Sequence, residues 1–331
     1  MIVTLTANPS LDRTIGLTGP LVRGAVHRAA TTAVDPGGKG INVARVLHGA
    51  GLPVLAVLPA DVGDPLLAEL DERGIPYRAV AASGPVRVNT TIAEPDGTTT
   101  KLNTPGAACP AGTLDTLRHT LLDHADGAAW TVLSGSLPPG VPDDFYADLI
   151  GGLRGSGSRI AVDTSEAPLL ALATRFPESA PDLIKPNTDE LAQLTGTDPS
   201  ALENAAATGD IDPAVSAGRA LVEHGVAAVL ITLGAAGAVL VTADGAWRAS
   251  APPITARSTV GAGDSSLAGY LVAERDGAGP ADRLRHAVAY GSAAVSLPGT
   301  GLPGPGDADP TTVTVTAVNP VTPSPRPLPH S

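Results

Sequence analysis

The chain contains 331 residues, of which 43% are hydrophobic and only 2% aromatic, and it carries a net charge of −12. This length allows one large domain or two, with a core built from aliphatic side chains. The negative charge repels nucleic acid and anionic membranes, so it argues against either as a main partner. A single cysteine, Cys109, excludes a disulfide scaffold. Because the first residues lack the basic start and apolar stretch of a secretion signal, we expect a cytoplasmic protein.

Runs of aliphatic residues alternate with patterns of helical period over most of the chain. They predict strands over Ile2–Ala7, Val54–Leu58, Trp130–Ser134, Arg159–Asp163, Leu183–Lys185, Val226–Thr232 and Ala238–Thr242. They predict helices over Gly40–Gly51, Leu66–Arg73, Gly112–Asp123, Asp143–Arg154, Thr188–Leu194, Pro213–His224, Asp264–Glu274 and Pro280–Val295. Continuous aliphatic strands that alternate with helices are typical of a parallel sheet covered on both faces. We therefore expect an α/β fold with a doubly wound, mainly parallel sheet flanked by helices.

Three segments depart from this pattern. Residues 13–34 and 86–104 contain polar, Thr-rich strand patterns without a helix, which predict a separate small sheet. That sheet is either a lid or dimer surface, or simply two surface hairpins. Residues 303–331 contain eight Pro and no aromatic residue, so we expect a disordered or extended tail after a domain of residues 1–302.

The basic residues are unevenly divided between 18 Arg and three Lys, namely Lys39, Lys101 and Lys185. In a chain that uses Arg so widely, we expect Lys to persist where a compact ammonium group is needed. The alternative is that these three positions are due to chance.

A Gly-Ala-Gly turn, formed by residues 261–263, directly precedes a predicted helix. Such a turn leaves the first N–H groups of the helix unpaired, which favours an anion beside them. Asp264 follows the turn. It can accept a proton from an attacking hydroxyl while the N–H groups stabilise a transferred phosphoryl group. Alternatively, Asp264 is only a helix cap.

A second glycine-rich segment precedes the helix predicted from Gly40. Gly37 and Gly38 permit close backbone approach, while Lys39 and Asn42 offer donors to a phosphate or sugar hydroxyl. The segment is not a Walker A loop, because its glycine spacing differs and no Ser or Thr follows the Lys. A plain glycine turn before a core helix is the alternative.

Further polar residues follow other predicted strands. Asp12 follows the first strand, where it can accept hydrogen bonds from sugar hydroxyls or serve only as a turn residue. Arg87 and Lys101 fall on two strands that we expect to pair, so they can close over an anion or form a solvated face. Asn187 and Glu190 lie one helical turn apart and can hold phosphate through a magnesium ion and its waters.

In order along the chain, these segments resemble the signatures of the PfkB (ribokinase-like) carbohydrate kinases over about residues 1–300. Gly37–Arg45 is similar to the N-terminal signature, Ser258–Tyr270 to the C-terminal signature, and Asn187–Glu190 to the Asn-x-x-Glu element of that family.

The chain is most similar to the branch of the family that phosphorylates sugar phosphates. The similarity lies in Asn8–Asp12, Lys39, Arg87–Asn89 and Ser134–Gly140. One departure is the sequence Asn-Thr-Thr-Ile at residues 89–92, where many relatives carry a Lys.

The resemblance implies a ribokinase-like fold with a small β-sheet lid, and it implies ATP and Mg²⁺ as cofactors. It implies that Asp264 is the proton acceptor. The oxyanion hole would consist of the amides of Gly261, Ala262, Gly263 and Asp264. The sugar phosphate would be bound by Asp12, Gly38, Lys39, Asn42, Arg87, Lys101 and Ser136. ATP would contact Lys185, Asn187, Thr232, Gly234, Gly237 and Gly263, with Mg²⁺ near Asn187 and Glu190, the latter through water.

The reaction implied by the resemblance is phosphorylation of fructose 1-phosphate to fructose 1,6-bisphosphate, by a homodimer that pairs through the lid. Kinases for tagatose 6-phosphate or fructose 6-phosphate are the alternatives within the family. A non-catalytic phosphosugar-binding regulator is a more distant one. A dinucleotide-dependent oxidoreductase is disfavoured because no Gly-x-Gly-x-x-Gly sequence follows the first strand.

Overall fold

The computed structural model describes residues 1–318. Its strands are β1 (Ile2–Thr6), β2 (Ser10–Gly16), β3 (Thr31–Gly37), β4 (Val54–Pro59), β5 (Tyr77–Val80), β6 (Arg87–Ala93), β7 (Thr99–Leu102), β8 (Trp130–Ser134), β9 (Arg159–Asp163), β10 (Leu183–Ile184), β11 (Ala228–Thr232), β12 (Ala238–Thr242), β13 (Gly245–Ser250) and β14 (Thr314–Val318). Its helices are α1 (Lys39–Gly49), α2 (Pro65–Glu72), α3 (Ala111–Ala125), α4 (Phe145–Leu153), α5 (Glu166–Ala173), α6 (Thr188–Thr195), α7 (Pro199–Ala207), α8 (Asp212–Glu223), α9 (Ala262–Arg275) and α10 (Pro280–Ser296). Each listed prediction of a strand or helix is confirmed to within about two residues at either end.

The large sheet has the strand order β14-β13-β12-β11-β10-β9-β8-β1-β4-β5. Neighbouring strands are parallel from β5 to β11. From β11 to β14 they pair antiparallel. The central strand β1 lies between β4 and β8, so the chain winds outward from it in both directions. This topology confirms the expected doubly wound, mainly parallel sheet.

Helices cover both faces of the large sheet, and a hydrophobic cluster fills each side. One cluster contains buried side chains of α1, α2, α9 and α10. The other contains those of α3 to α8. Successive residues of a strand divide between the clusters, as Ile2 and Val3 do. Because both faces are buried, the strands read as continuous aliphatic runs. Among the described helices, none is long and apolar enough to cross a membrane.

The small sheet has the strand order β3-β2-β6-β7 and stands apart from the large one. β2 and β6 are parallel, while the two outer pairs are antiparallel. The register places Asp12 beside Asn89 and Thr91 beside Lys101. These strands occupy the two segments that lack a helical pattern, which confirms the prediction of a separate small sheet.

Five elements were not predicted, namely β5, β13, β14, α5 and α7. β13 reads Gly-Ala-Trp-Arg-Ala-Ser and lacks the continuous aliphatic run of the central strands. α5 carries Pro168 near its start, and its apolar residues follow no helical period. Their structure depends on packing against neighbours rather than on local pattern.

Residues 303–318, predicted as part of a disordered or extended tail, are ordered and pack on the domain. β14 pairs with β13 along its whole length, and Val313 is only 2% exposed within the cluster beside α10. Alternating Thr and Val over residues 312–316 is a strand pattern, but the high Pro content of the segment outweighed it in the prediction. The rest of the predicted tail, residues 319–331, lies outside the described residues.

Candidate active site

Most of the polar residues singled out in the sequence meet at one edge of the large sheet, and Lys101 does not. Asp163 ends β9, and the helices α1, α6 and α9 begin beside it with Lys39, Glu190 and Asp264 in their first turns. This is the carboxyl edge of the parallel strands, where ligands bind in open α/β sheets. The fold therefore brings residues distant in sequence into one charged cluster.

Asp163 connects two of the three lysines. Its Oδ1 lies 2.8 Å from Lys39 Nζ and its Oδ2 lies 3.1 Å from Lys185 Nζ. Burial raises the pKa of Asp163, but the two ammonium groups outweigh burial, and its pKa lies below the usual range. Burial lowers the pKa of Lys39, whereas Asp163, Glu190 and Asp264 raise it by a larger amount. Lys39 therefore stays charged beside an ionised Asp163.

Asp163 was not singled out in the sequence. The available signal was a carboxylate as the last residue of a predicted buried strand, which is a costly position for an unpaired charge. Which cations pair with it depends on the neighbouring strands and helices, so the pairing could not be read from spacing alone.

Asp264 is the third residue of α9 and only 6% exposed. Its Oδ2 accepts a hydrogen bond from Asn42 Nδ2 at 2.8 Å. Burial raises the pKa of Asp264 to about 6, and the charge of Asp163 adds to this effect. A carboxyl group with this pKa can accept a proton near neutral pH.

The turn before α9 has the geometry of an anion site. Gly261 is left-handed at φ 74°, and no side chain caps the helix. Asp264 therefore does not cap α9. A Cβ atom at Gly263 would lie 2.9 Å from Lys185 Nζ, so the turn and this lysine are in close contact. The N–H of Ala262 donates to the backbone oxygen of Thr259 at 3.4 Å, so an anion at the turn meets the N–H groups of Gly263 and Asp264 together with an ammonium group.

Asp12 lies where β2 passes the start of α1. Its Oδ1 accepts hydrogen bonds from Ser10 Oγ at 2.8 Å and Asn89 Nδ2 at 3.0 Å. A Cβ atom at Gly37 would lie 2.2 Å from Asp12 Oδ2, so any larger residue there would displace the Asp12 carboxylate. Gly38 has φ 106°, which favours glycine as well. The two glycines thus let a carboxylate approach the start of α1.

Asn8 links two further predicted site residues. Its backbone oxygen accepts from Arg87 Nη2 at 3.1 Å, and its Nδ2 donates to Ser136 Oγ at 3.3 Å. Sequence reasoning noted Asn8 only as part of a motif and gave it no role. Lys101 is not drawn into this group: it is exposed on β7, and within residues 1–318 it forms no ion pair.

Asn187 and Glu190 form a capping box at the start of α6. Asn187 Oδ1 accepts from the backbone N–H of Glu190 at 2.8 Å, and Glu190 Oε2 accepts from that of Asn187 at 2.9 Å. Burial raises the pKa of Glu190. An isolated β-bridge joins Asn187 to Thr232, so the predicted nucleotide residues lie side by side.

The glycines after Thr232 form the expected tight turn between β11 and β12. Gly234 and Gly237 have φ 56° and 95°. A Cβ atom at Gly237 would lie 2.1 Å from the backbone oxygen of Ala249, so packing against β13 already requires glycine there.

The donor set fits a magnesium ion held mainly by phosphate and water. Within the described part of the chain, no three His, Cys, Asp or Glu side chains are grouped to hold a metal ion directly. Glu190 uses Oε2 for the capping box, and its Oε1 lies 3.9 Å from Lys39 Nζ. Mg²⁺ commonly retains several waters beside phosphate ligands, and Glu190 could contact one of them.

A doubly wound sheet, a separate small sheet, and a helix N-terminus bearing a buried carboxylate define a kinase of ribokinase-like fold. The sequence profile of the pfkB family carbohydrate kinases matches residues 6–306. The chain belongs to this family of carbohydrate kinases and is therefore a phosphotransferase.

Several relatives of the chain are phosphofructokinases. The 1-phosphofructokinase of Xanthomonas campestris pv. campestris is 37% identical over 279 residues, covering 83% of this chain and 85% of the relative. The 1-phosphofructokinase of Rhodobacter capsulatus is 36% identical over 307 residues, covering 91% of this chain and 92% of the relative. The crystal structure of phosphofructokinase-2 from Escherichia coli with substrates and products has a TM-score of 0.83 at 31% identity, covering 92% and 96% of the two chains. Other structures of that protein contain fructose-6-phosphate or are a tetrameric inhibited form.

Proposed function

We propose that this kinase transfers the γ-phosphoryl group of ATP to the 6-hydroxyl of D-fructose 1-phosphate, giving D-fructose 1,6-bisphosphate and ADP. The observation that carries the chemistry is the buried Asp264, held by Asn42 beside the open N-terminus of α9. The 1-phosphofructokinase relatives support this choice of sugar. The use of ATP and the single Cys109 fit a cytoplasmic reaction.

In the proposed reaction, the 6-hydroxyl oxygen attacks the γ-phosphorus in line with the leaving ADP oxygen. Asp264 takes the hydroxyl proton as the new P–O bond forms. The backbone N–H groups of residues 261–264 stabilise the charge on the transferred group. Lys39 and Lys185, fixed by Asp163, lie close enough to this turn to counter the remaining phosphate charge. Glu190 would hold Mg²⁺ through a water, and the ion would supply positive charge to neutralise the phosphates of ATP.

The sugar lies between α1 and the small sheet in this proposal. Asp12 and Asn42 bind its hydroxyls, while Arg87 and Lys101 bind its phosphate. Asp12, Asn89, Thr91 and Lys101 share one face, because paired residues of neighbouring strands point the same way. The exposed position of Lys101 supports a lid that brings this cation to the phosphate only on closure, which also excludes water.

Kinetics with different sugars test the proposed substrate. ADP release is measured with ATP and Mg²⁺ against fructose 1-phosphate, fructose 6-phosphate and tagatose 6-phosphate. We expect kcat/KM to be highest for fructose 1-phosphate by orders of magnitude. Preference for a 6-phosphate would overturn the sugar assignment while keeping the chemistry. Absence of ADP release with all three would overturn the proposal and favour a phosphosugar-binding regulator.

The alternative substrate with a specific observation behind it is fructose 6-phosphate. The E. coli relative has been crystallised with this sugar. Arg87 and Lys101 would bind a phosphate at either end of fructose, so these two cations do not distinguish the isomers.

We also propose that the small sheet forms a homodimer through its outer face. Ile15, Ile92 and Leu102 alternate with the inward-facing residues and so lie on that face. Leu102 is 58% exposed in the single chain. A half-exposed apolar sheet face is typical of an interaction surface.

A matched pair of substitutions tests the dimer. We expect Leu102→Asp to convert the protein to a monomer in light scattering. Leu170→Asp, at a residue 44% exposed on α5, should leave the oligomeric state unchanged. A dimer that survives Leu102→Asp together with Ile92→Asp would place the interface elsewhere.

A further inference from the structure

A cavity of about 200 Å³ opens at the edge of the large sheet opposite the candidate active site. Strands β1, β4, β8 and β9 begin there, and α9 ends there. β9 runs from Arg159 at this edge to Asp163 at the active-site edge. The four residue steps between them separate the two edges by about 13 Å. The side chains that line the cavity include Ile2, Leu52, Trp130, Arg159, Leu271, Glu274 and Arg275. The cavity is thus separate from the proposed sugar and ATP sites.

The polar wall of this cavity is an ordered network. Trp130 Nε1 donates to Glu274 Oε2 at 2.8 Å. The Arg159 guanidinium lies over the Trp130 ring, 4.4 Å from its centroid, and its Nη1 lies 2.5 Å from Glu274 Oε1. Glu274 is buried, so its partners neutralise it within the wall. The carboxylate therefore does not leave an open negative charge in the cavity.

The charge balance at this wall is positive. Arg275 Nε pairs with Asp276 at 2.7 Å, and Arg283 Nη2 lies 3.7 Å from Glu274. Among the side chains that line the cavity, two are arginines, Arg159 and Arg275, and one is acidic, Glu274, in a chain of net charge −12. Arg159 and Arg275 are about half exposed, at 43% and 49% of their side chains. Each uses only part of its five N–H donors, so donors remain for a ligand.

Size and lining together define the ligand class. Guanidinium groups bind phosphate and carboxylate oxygens through paired hydrogen bonds. Ile2, Leu52 and Leu271 form an apolar floor that suits a short carbon chain. Pockets for drug-sized ligands span roughly 300–1000 Å³, which makes this cavity too small for a nucleotide. We propose that the cavity binds a small organic anion that carries a phosphate or carboxylate group on a short carbon chain.

Tryptophan fluorescence provides the test. The chain has two Trp, so Trp247→Phe leaves Trp130, in the cavity wall, as the reporter. The probe is 2-phosphoglycolate, which has no hydroxyl group to be phosphorylated, titrated at constant ionic strength. We expect a saturable change in fluorescence. Separate titrations with inorganic phosphate and with acetate show whether the phosphate or the carboxylate of 2-phosphoglycolate is the group that binds.

Substitutions then locate the bound anion. Arg275→Gln, at an exposed side chain, should weaken binding at least about tenfold, as expected for the loss of a charge-assisted contact. Arg78→Gln, at an exposed arginine on β5, should have no effect. Two results would overturn the proposal: no saturable change, or a change that Arg87→Gln abolishes and Arg275→Gln does not. The second result would mean that the probe binds at the proposed sugar site, so this test is independent of which sugar the kinase uses.

Discussion

Asp264 belongs to a buried cluster of three carboxyl groups and two lysines, completed by Asp163, Glu190, Lys39 and Lys185. The cluster contains one more acidic group than basic groups. One carboxyl can therefore be protonated at a modest cost in free energy. Asp163 keeps both lysines within 3.1 Å and stays ionised. Within residues 1–318, Asp264 has only Asn42 as a direct side-chain partner, so burial raises its pKa to about 6, and burial raises the pKa of Glu190 as well.

Asp264→Asn should lower kcat by about 10²–10⁴-fold, because the hydroxyl proton loses its acceptor. ATP binding, measured by calorimetry, should be retained. In the unsubstituted enzyme, kcat/KM should fall as the pH drops through about 6, where Asp264 takes up a proton. Asp189→Asn, at an exposed residue of α6, is the matched control. Near-normal turnover of Asp264→Asn would exclude a role as base.

The same substitution should stabilise the protein above neutral pH. Asp264 has a folded-state pKa of about 6 against an ordinary 3.8, so its ionisation opposes folding. The destabilisation is absent well below pH 3.8, grows as the unfolded chain ionises, and is complete above about pH 6. Two pKa units correspond to at most about 3 kcal/mol. In urea denaturation, Asp264→Asn should raise the free energy of unfolding more at pH 8 than at pH 4.5. An equal increase at both pH values would contradict this account.

Sequence reasoning found the residues at helix starts more readily than their partners. Asn42 and Asp264 could be selected because glycine turns mark the starts of α1 and α9. Asp163 and the bridging role of Asn8 could not, because the contacts of Asp163 with Lys39 and of Asn8 with Arg87 and Ser136 come from segments more than 75 residues away. The exposure of Lys101 also depends on how the small sheet stands relative to the body, which local pattern does not determine.

Among the elements, the predictable ones are those buried on both faces. β1, β4 and β8 show continuous aliphatic sequence because helices cover both sides of them. β14 is an edge strand with exposed Thr residues, and the sequence on either side of it is rich in Pro. Its structure comes from pairing with β13 and from the anchor at Val313, and neither contact has a local signature.

Val313→Ala should lower the free energy of unfolding by roughly 1–3 kcal/mol, because it removes buried methyl groups from the cluster beside α10. Val26→Ala, at a residue that is largely exposed, should change it by less than about 0.5 kcal/mol. Denaturant titration of both variants measures the difference. Equal stability of the two variants would mean that residues 303–318 contribute little to the folded body.

At the scale of the whole molecule, the position of a strand in the large sheet determines how well its amide hydrogens are protected from exchange. β1 has a partner on each side and helices on both faces, whereas β5 and β14 are edge strands. Amide hydrogens at the centre should exchange only on global unfolding, and those of the edges by local opening. Hydrogen exchange followed by mass spectrometry should rank β1 and β8 slowest and β14 among the fastest. Uniform exchange across the sheet would contradict this order.

The strand order also bears on synthesis at the ribosome. β4 joins β1, β5 joins β4, and β8 joins the free side of β1. The strands from β9 to β14 then follow one after another outward, and the small sheet grows in the same way from β2 and β3 to β6 and β7. Within residues 1–318, no strand has to insert between two that are already paired. The nascent chain can therefore extend each sheet at an open edge as it emerges, from N-terminus to C-terminus.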